Sequence, residues 1–389
     1  MTEESFDTLP DEAIAAGHVT DAYFDRTEET LEYTDRNPTV IAEVTADQFP
    51  TGEFEVLAGT HEVAQLLEGL PVDVDALPEG TLFDSGPVLT VEGPYRSFLR
   101  FETSLLGMLS QASAYATRAL AARQVAGEAT VVSFGTRHVH PALATVVERS
   151  SLVGGFDGIS NVAAGERLEV EATGTMPHAL LLVFGADNTV EAWTAFHEAV
   201  DEDVPRIALC DTFTDEVVES LDAANALGDA LDGVRLDTTG SRRGDFRHIT
   251  REVRWKLDEQ GFDHVELFLS GGIGLEAIDE LKPYADGFGV GSYITDAPPV
   301  DFALDIVEVD GEPTGKRGKL SGAKRVVRTP TGGHVVEPAD SASPTEGREL
   351  LEPLVRDGEI VRETPLEEIT EHALSEAQTV EFDPWNHAR

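Results

Sequence analysis

GVRLDTTGSRRGDF, Gly233–Phe246, is the stretch whose reading decides the fold. In an extended strand side chains alternate between faces, so Val234 and Leu236 turn one way while Arg235 and Asp237 point together the other way. A cation and a carboxylate then share one site. The apolar run breaks at Thr238-Thr239-Gly240, and Phe246, Ile249, Val253 and Leu257 follow at spacings of three and four, the period of a helix. Strand, Gly-containing loop and helix make one unit, and the carboxyl end of such a strand is where α/β barrels carry their chemistry. A buried structural Arg–Asp pair is the competing reading of these two side chains taken alone. The neighbouring strand ends decide between them.

Composition narrows the partners. The 389 residues suffice for two or three domains with an ample core, and 41% are hydrophobic. Formal charge is -45, from 28 basic and 73 acidic side chains, and the lysines are only Lys256, Lys282, Lys316, Lys319 and Lys324. A phosphate backbone or an anionic membrane surface would be repelled, so neither nucleic acid nor membrane is expected as a partner. The acid is spread along the chain, as on a solvated surface suited to high salt, where screening removes the self-repulsion. Cys210 stands alone, which excludes internal disulfides and multi-Cys zinc sites and fits a buried small hydrophobe. No charged-then-apolar leader opens the sequence, and no apolar run approaches the roughly 18 residues a bilayer span needs. A soluble, cytoplasmic protein is expected.

Three segments follow from the patterning. The acidic start MTEESFDTLPDE is expected to fray, and residues 49–100 carry short β-like runs around one helix near His61–Leu70, a small α/β domain. From Leu105 an Ala-rich amphipathic helix runs to a Gly stop. Seven strand candidates come next: Thr130–Phe134, Leu152–Phe156, Leu168–Ala172, Arg206–Cys210, Val234–Asp237, His264–Ser270 and Gly287–Val290. Helical stretches separate most of them, namely Pro141–Ser150, Thr189–Val200, Asp215–Leu231, Arg247–Glu259 and Leu275–Tyr284. Such alternation implies a parallel sheet closing into an irregular, TIM-like barrel of about seven strands, with a doubly wound open sheet as the structural alternative. Past residue 300 come short strands (Asp305–Val309, Lys324–Thr329), a Pro/Ser/Gly-rich linker (Glu337–Gly347) and a charged helical tail. The expected domains are 1–104, 105–300 and 301–389, the last a small accessory domain, part of it completing the first.

If the strands form one barrel, the residues past each line one mouth. They are Phe134-Gly135-Thr136-Arg137-His138, Gly155-Phe156-Asp157-Gly158, Gly174-Thr175-Met176-Pro177-His178, Asp211-Thr212-Phe213-Thr214-Asp215, the Arg235/Asp237 pair with Arg242 and Arg243, Ser270-Gly271-Gly272 and Gly289-Val290-Gly291. The glycines at the last two ends let backbone N–H groups approach an anion; simple tight turns are the alternative. Arg137 and Arg235 can clamp phosphate or carboxylate, and Asp211 and Asp237 can hold ribose hydroxyls or a Mg2+ bound to pyrophosphate. Phe134 can stack on a flat ring or belong to the core. His138 and His140 form a His-x-His pair with no matching Cys or Glu-x-x-His, so positioning of the loop is favoured over metal binding. Together these groups suit a phosphorylated sugar.

The chain resembles the nicotinate phosphoribosyltransferases, in the type II phosphoribosyltransferase family that also holds the quinolinate and nicotinamide enzymes. The phrases that carry the resemblance run from residue 20 to residue 291: Thr20-Asp21-Ala22-Tyr23, Phe134-Gly135-Thr136-Arg137, Gly155-Phe156-Asp157-Gly158-Ile159-Ser160-Asn161, Gly174-Thr175-Met176-Pro177-His178, Val234-Arg235-Leu236-Asp237, Ser270-Gly271-Gly272 and Phe288-Gly289-Val290-Gly291. The resemblance implies an irregular α/β barrel beside an α/β sandwich, with sites built across a homodimer. It implies that Phe134 stacks nicotinate on one face and Tyr23 of the partner subunit on the other. It also implies that Arg235 contacts the anionic end near Asp157, with Thr175 in the same substrate site. By the same carry-over Arg137 grips phosphate, Asp211 and Asp237 the ribose and its Mg2+, Gly271, Gly272, Gly289 and Gly291 the 5-phosphate, and His178 accepts a phosphoryl group from ATP. The implied reaction joins nicotinate to phosphoribosyl pyrophosphate in NAD salvage.

Departures matter too. Many relatives read Leu-Asp-Ser-Gly-Asp after the fifth strand, whereas this chain reads Leu236-Asp237-Thr238-Thr239-Gly240-Ser241-Arg242-Arg243-Gly244-Asp245. This resembles an archaeal-type variant in which Arg242 or Arg243 adds phosphate contacts. Some archaeal relatives carry a Cys-rich zinc knuckle, which a chain with one cysteine cannot form. A quinolinate enzyme would need a Thr-Arg-Lys cluster with further basic residues, and Phe134–His140 offers Arg137 without a lysine. A barrel isomerase or aldolase would need a lysine or glutamate at a strand end, and none of the lysines falls there. A non-catalytic nucleotide-binding relative would be expected to lack the His178 chemistry.

Overall fold

In a computed structural model, residues 6–46, 53–330 and 332–388 are described. Residues 1–5 of the expected frayed start lie outside them, while a short helix already begins at Asp11. The chain divides into two compact units, residues 1–117 with 298–383, and residues 118–297 with 384–389. That boundary falls within the 25-residue helix Glu102–Ala126.

The second unit is built on a six-stranded parallel sheet. Its strands are β1 (Thr130–Ser133), β2 (Gly158–Ile159), β3 (Ile207–Leu209), β4 (Gly233–Leu236), β5 (Glu266–Leu269) and β6 (Gly287–Val290). Their order is β2-β1-β6-β5-β4-β3, so the last strand pairs with the first and the hydrogen-bonded series is open between β2 and β3. Parallel strands covered by helices are buried on both faces. Accordingly all four residues of β4 and all four of β6 are buried, and Val131, Leu236, Leu267, Leu269 and Phe288 are fully so.

Helices return the chain between strands: α1 (Ala144–Val153), α2 (Val162–Leu168), α3 (His178–Phe184), α4 (Thr189–Ala199), α5 (Glu216–Leu227), α6 (Gly240–Arg243), α7 (Phe246–Glu259) and α8 (Leu275–Leu281). Side-chain caps start three of them: Asn161 accepts from Ala164 N–H, Asp215 from Val217 N–H and Asp245 from His248 N–H. Helix α7 buries Phe246, Thr250, Val253 and Leu257. Thr250 takes the place expected for Ile249, because its hydroxyl bonds back to Phe246 O at 2.8 Å and needs no other partner in the core.

Two expected strands are not strands. Leu152 and Val153 close α1, and the strand begins later, at Gly158, after a turn through Gly155 at φ 91°. Leu168 ends α2, Glu169 turns left-handed at φ 55°, and Val170 N–H bonds back to Gly165 O. Only Ala172, bridging to Ile159, touches the sheet. In both places an aliphatic run at a helix end carries the same composition as a buried strand, which periodicity over five residues cannot separate. Helix α3 was hidden in the same way, since HALLLVF has no polar face.

In the first unit seven antiparallel strands run in the order Glu312–Pro313, Phe302–Val309, Thr39–Ala46, Pro87–Pro94, Asp73–Ala76, Glu352–Arg356, Glu359–Ile360. Part of the segment from 301 onward, expected to complete the first domain, supplies strands to the same sheet as residues 39–94. A three-stranded sheet of His334–Pro338, Lys324–Arg328 and Arg348–Glu349 accompanies it. The expected linker starts inside the first of these strands and continues as turns.

Candidate active site

Much of the chemistry at the strand ends of the second unit converges on one cavity of about 550 Å³. Phe134, Arg137, Thr175, His178, Arg235, Asp237, Gly271, Gly272, Gly289 and Gly291 line it, together with Thr136, His138, Ser160, Met176, Ser270 and Ser292.

Arg235 sits at its floor. The residue is 9% exposed, Nη2 donates to Met176 O at 3.2 Å, and Nε has no partner. Burial pulls its pKa down, while Asp237 and Asp211 push it back up. Its guanidinium lies 5.9 Å from the centroid of the half-buried Phe134 ring. Nearby Ser270 is 2% exposed and its Oγ is likewise unpartnered. Unpartnered buried donors beside an aromatic face are costly unless an anionic, planar ligand completes them.

His178 opens α3, and its Nε2 meets Asp211 Oδ1 at 2.9 Å. An ionised carboxylate offers only lone pairs, so the proton lies on Nε2 and Nδ1 is the ring nitrogen left for the cavity. Asp211 has a fully buried side chain, and its other oxygen accepts the Asp237 N–H and the Thr238 hydroxyl. Burial raises its pKa, and the Asp237 N–H, His178 and Thr238 oppose that shift. The loop carrying it is held by Glu219, 4% exposed, which accepts the N–H groups of Thr212, Phe213 and Thr214 at 2.6–2.9 Å. Glu148 does the same for Ser160 and Asn161. Neither glutamate was singled out from sequence, because nothing in a helical pattern says which carboxylate folds back onto a loop.

The glycines divide into two kinds. Gly271 and Gly272 have φ of 84° and 71°, and a Cβ on Gly271 would lie 2.3 Å from Asp237 Oδ1. Gly271 keeps the backbone close to the Asp237 carboxylate. A Cβ on Gly289 would instead strike the Phe134 ring at 2.3 Å, so Gly289 is small to seat that ring. At Gly291 the obstacle is Phe134 O at 3.0 Å.

Asp157 and Arg242 are not among the residues that line the cavity. Asp157 pairs with Arg123 at 2.6 Å and accepts Val131 N–H, a structural use of the carboxylate that keeps it out of the cavity lining. Arg242 is exposed and does not line the cavity. Tyr23 belongs to the first unit, where it is 55% exposed. Arg243 donates to Thr238 O, Ser270 O and Gly271 O and stacks 4.1 Å from the Phe246 ring. It staples two loops. Its replacement by alanine would orphan three carbonyls and is expected to cost about 2 kcal/mol of unfolding free energy, measurable by denaturant titration.

The imidazole of His140 accepts Ala142 N–H, and no group of three or more His, Cys, Asp or Glu able to hold a metal occurs among the described residues. Both oxygens of Asp211 are engaged by donors of the protein, and Asp237 is the one of the expected pair that lines the cavity. That fits a Mg2+ brought in largely by a substrate's phosphates.

Residues 21–113 match the family model described as quinolinate phosphoribosyl transferase, N-terminal domain, and residues 115–305 that of its C-terminal domain. The solved structure of nicotinate-nucleotide pyrophosphorylase from Pyrococcus furiosus is 48% identical, with a TM-score of 0.93, over 98% of this chain and 100% of that one. The chain belongs to the nicotinate and quinolinate phosphoribosyltransferase family. Within that family it is 28% identical to a nicotinate phosphoribosyltransferase of Mycobacterium tuberculosis, across 92% of this chain and 89% of the relative. Human nicotinic acid phosphoribosyltransferase, 22% identical with a TM-score of 0.75 over 95% of both chains, shares the fold.

Proposed function

We propose that this enzyme joins nicotinate to phosphoribosyl pyrophosphate, forming nicotinate mononucleotide and pyrophosphate for NAD salvage, and that ATP phosphorylates His178 to drive the reaction. The observation that carries the nicotinate reading is the single buried cation at the cavity floor, Arg235, with unpartnered Nε beside Ser270 Oγ and the Phe134 ring. One guanidinium suits one carboxylate. Quinolinate carries two, and among the described residues no lysine and no second buried cation lines the cavity to take the other, Arg137 being exposed.

In this reading Phe134 holds the pyridine ring flat with its carboxylate on Arg235, and the ring nitrogen needs no base. Its lone pair forms the bond to ribose C1 as the bond from C1 to the pyrophosphate oxygen breaks. Asp237, fixed against Gly271, faces the positive charge that develops on the sugar, a preorganised electrostatic contribution. Arg137 and the Gly271-Gly272 backbone suit the phosphates. Mg2+, where bound, neutralises charge on the leaving pyrophosphate. The His178–Asp211 pair fits an acceptor of the ATP phosphoryl group, since Asp211 fixes the proton on Nε2 and leaves Nδ1 nucleophilic.

The cyclic strand order, with β6 beside β1, supports the irregular barrel. Exposed apolar side chains, Tyr23 at 55%, Leu182 at 60% and Val183 at 85%, support a homodimer that covers them. The acidic composition supports a salt-adapted, archaeal-type enzyme.

The test is to incubate the purified protein in concentrated KCl with nicotinate, phosphoribosyl pyrophosphate and Mg2+, with and without ATP, and to follow mononucleotide. Product that rises with ATP is expected. Mononucleotide and CO2 from quinolinate, with none from nicotinate, would move the chain to the decarboxylating branch. No product from either, with nucleotide still bound, would make it a non-catalytic relative.

A further inference from the structure

Two groups stand behind Asp211 that the chemistry proposed above does not use. Thr238 Oγ1 lies 3.2 Å from Asp211 Oδ2 and 3.0 Å from Glu216 Oε1. The threonine is buried and its hydroxyl carries one hydrogen, so it can donate to only one of these carboxylates at a time. Glu216, half-buried in the first turn of α5, competes for that hydrogen. Asp211 has no solvent to compensate, because its side chain is fully buried and its other partners are His178 and the Asp237 N–H. The direction of one hydroxyl therefore changes how much negative charge a buried carboxylate offers to an imidazole.

We propose that Glu216, acting through the Thr238 hydroxyl, is a positioning residue that sets how strongly Asp211 draws on the His178 Nε2–H. The inference rests on His178 as the phosphoryl acceptor. When the hydrogen turns to Glu216, Asp211 keeps its charge for Nε2–H and Nδ1 becomes the stronger nucleophile. Its lone pair forms the bond to the γ-phosphorus of ATP, the bond from that phosphorus to the bridging oxygen breaks, and the electron pair leaves with ADP. Asp211 then meets the positive charge that develops on the ring. When the hydrogen turns to Asp211, the carboxylate is partly satisfied already and the ring is the poorer nucleophile. The other charged groups facing Asp211 are Arg235 and Asp237 at the end of β4 and Arg243 on α6, and they stay constant in the variants below.

The experiment measures the rate of base-stable phosphoryl incorporation from ATP into the full chain and into Glu216→Ala, Thr238→Ser, Thr238→Val and the two corresponding double variants, with thermal unfolding as a check on each. Glu216→Ala is expected to slow incorporation about tenfold, a charge-assisted hydrogen bond's worth of effect. The slowing persists with Thr238→Ser, which keeps the hydroxyl, and disappears with Thr238→Val, which removes it; Thr238→Ala replaces the valine variant if that one does not fold. Equal slowing by Glu216→Ala with and without the hydroxyl would mean a through-space charge effect and would overturn the relay, as would no slowing at all. A second readout needs no turnover. The ¹⁵N resonance of His178 Nε2, assigned by its loss in His178→Gln, moves on Glu216→Ala only while a hydroxyl is present at 238. If the wild type forms neither phosphoenzyme nor mononucleotide, the functional reading fails. The ring spectrum then judges the relay alone, and an Nε2 resonance unmoved by Glu216→Ala overturns it.

Discussion

Arg235→Gln is expected to lower kcat/KM for nicotinate by about two to three orders of magnitude, the cost of removing one member of a buried charge pair. The reason is geometric. Arg235 is buried and tied to Met176 O through Nη2, so the guanidinium cannot swing out to be replaced by water, and its free Nε has no acceptor within the protein. A glutamine, whose amide nitrogen reaches only the position of Nε, can hydrogen-bond a carboxylate but brings no charge to a site that has no other buried cation against the ring. The neutral amide nicotinamide gains nothing from that charge, so the preference for nicotinate over nicotinamide should fall with the same substitution. Steady-state kinetics with both pyridines checks this. An unchanged preference would mean that the carboxylate is held elsewhere, with the exposed Arg137 as the next cation in the lining.

His178→Ala is expected to lose the ATP-stimulated part of the rate, about two orders of magnitude, while an ATP-independent rate survives. The imidazole lies at the cavity wall with Nε2 on Asp211, and in the proposed chemistry no bond of the sugar or pyridine passes through it. Measuring mononucleotide with and without ATP separates the two components. A variant that lost both equally would place His178 in the transfer step itself.

The His178 and Arg235 effects should differ in kind: one removes coupling to ATP, the other removes affinity for one substrate class. Salt tests neither, since Arg235 is buried, His178 leans on a buried carboxylate and screening acts on exposed charges first.

Strand and helix periods in the sequence determined much of this protein. Val234-Arg235-Leu236-Asp237 and the glycine runs at 271–272 and 289–291 marked the strand ends, and those ends do converge on one cavity. Arg235, Asp237, Phe134, Thr175, Arg137 and His178 were legible there because a side chain just past a parallel strand has few places to point except the shared mouth. What sequence could not supply was the assignment of each charged group to a partner. Asp157 and Asp237 look alike in the chain, yet Arg123 claims the first and leaves the second free. Arg242 and Arg243 are adjacent, yet only Arg243 reaches the carbonyls of Thr238, Ser270 and Gly271. Glu219, Glu148 and the Thr238–Glu216 contact depend on which helical carboxylate faces a loop from another part of the chain. The return of residues 302–356 to the sheet of residues 39–94 depends on pairing across more than 200 positions. Local periodicity fixes what a segment is, because it follows from backbone geometry within a few residues. Which groups neutralise each other is decided only when distant segments meet and one cation, with its limited hydrogens, can satisfy one neighbour and not the next.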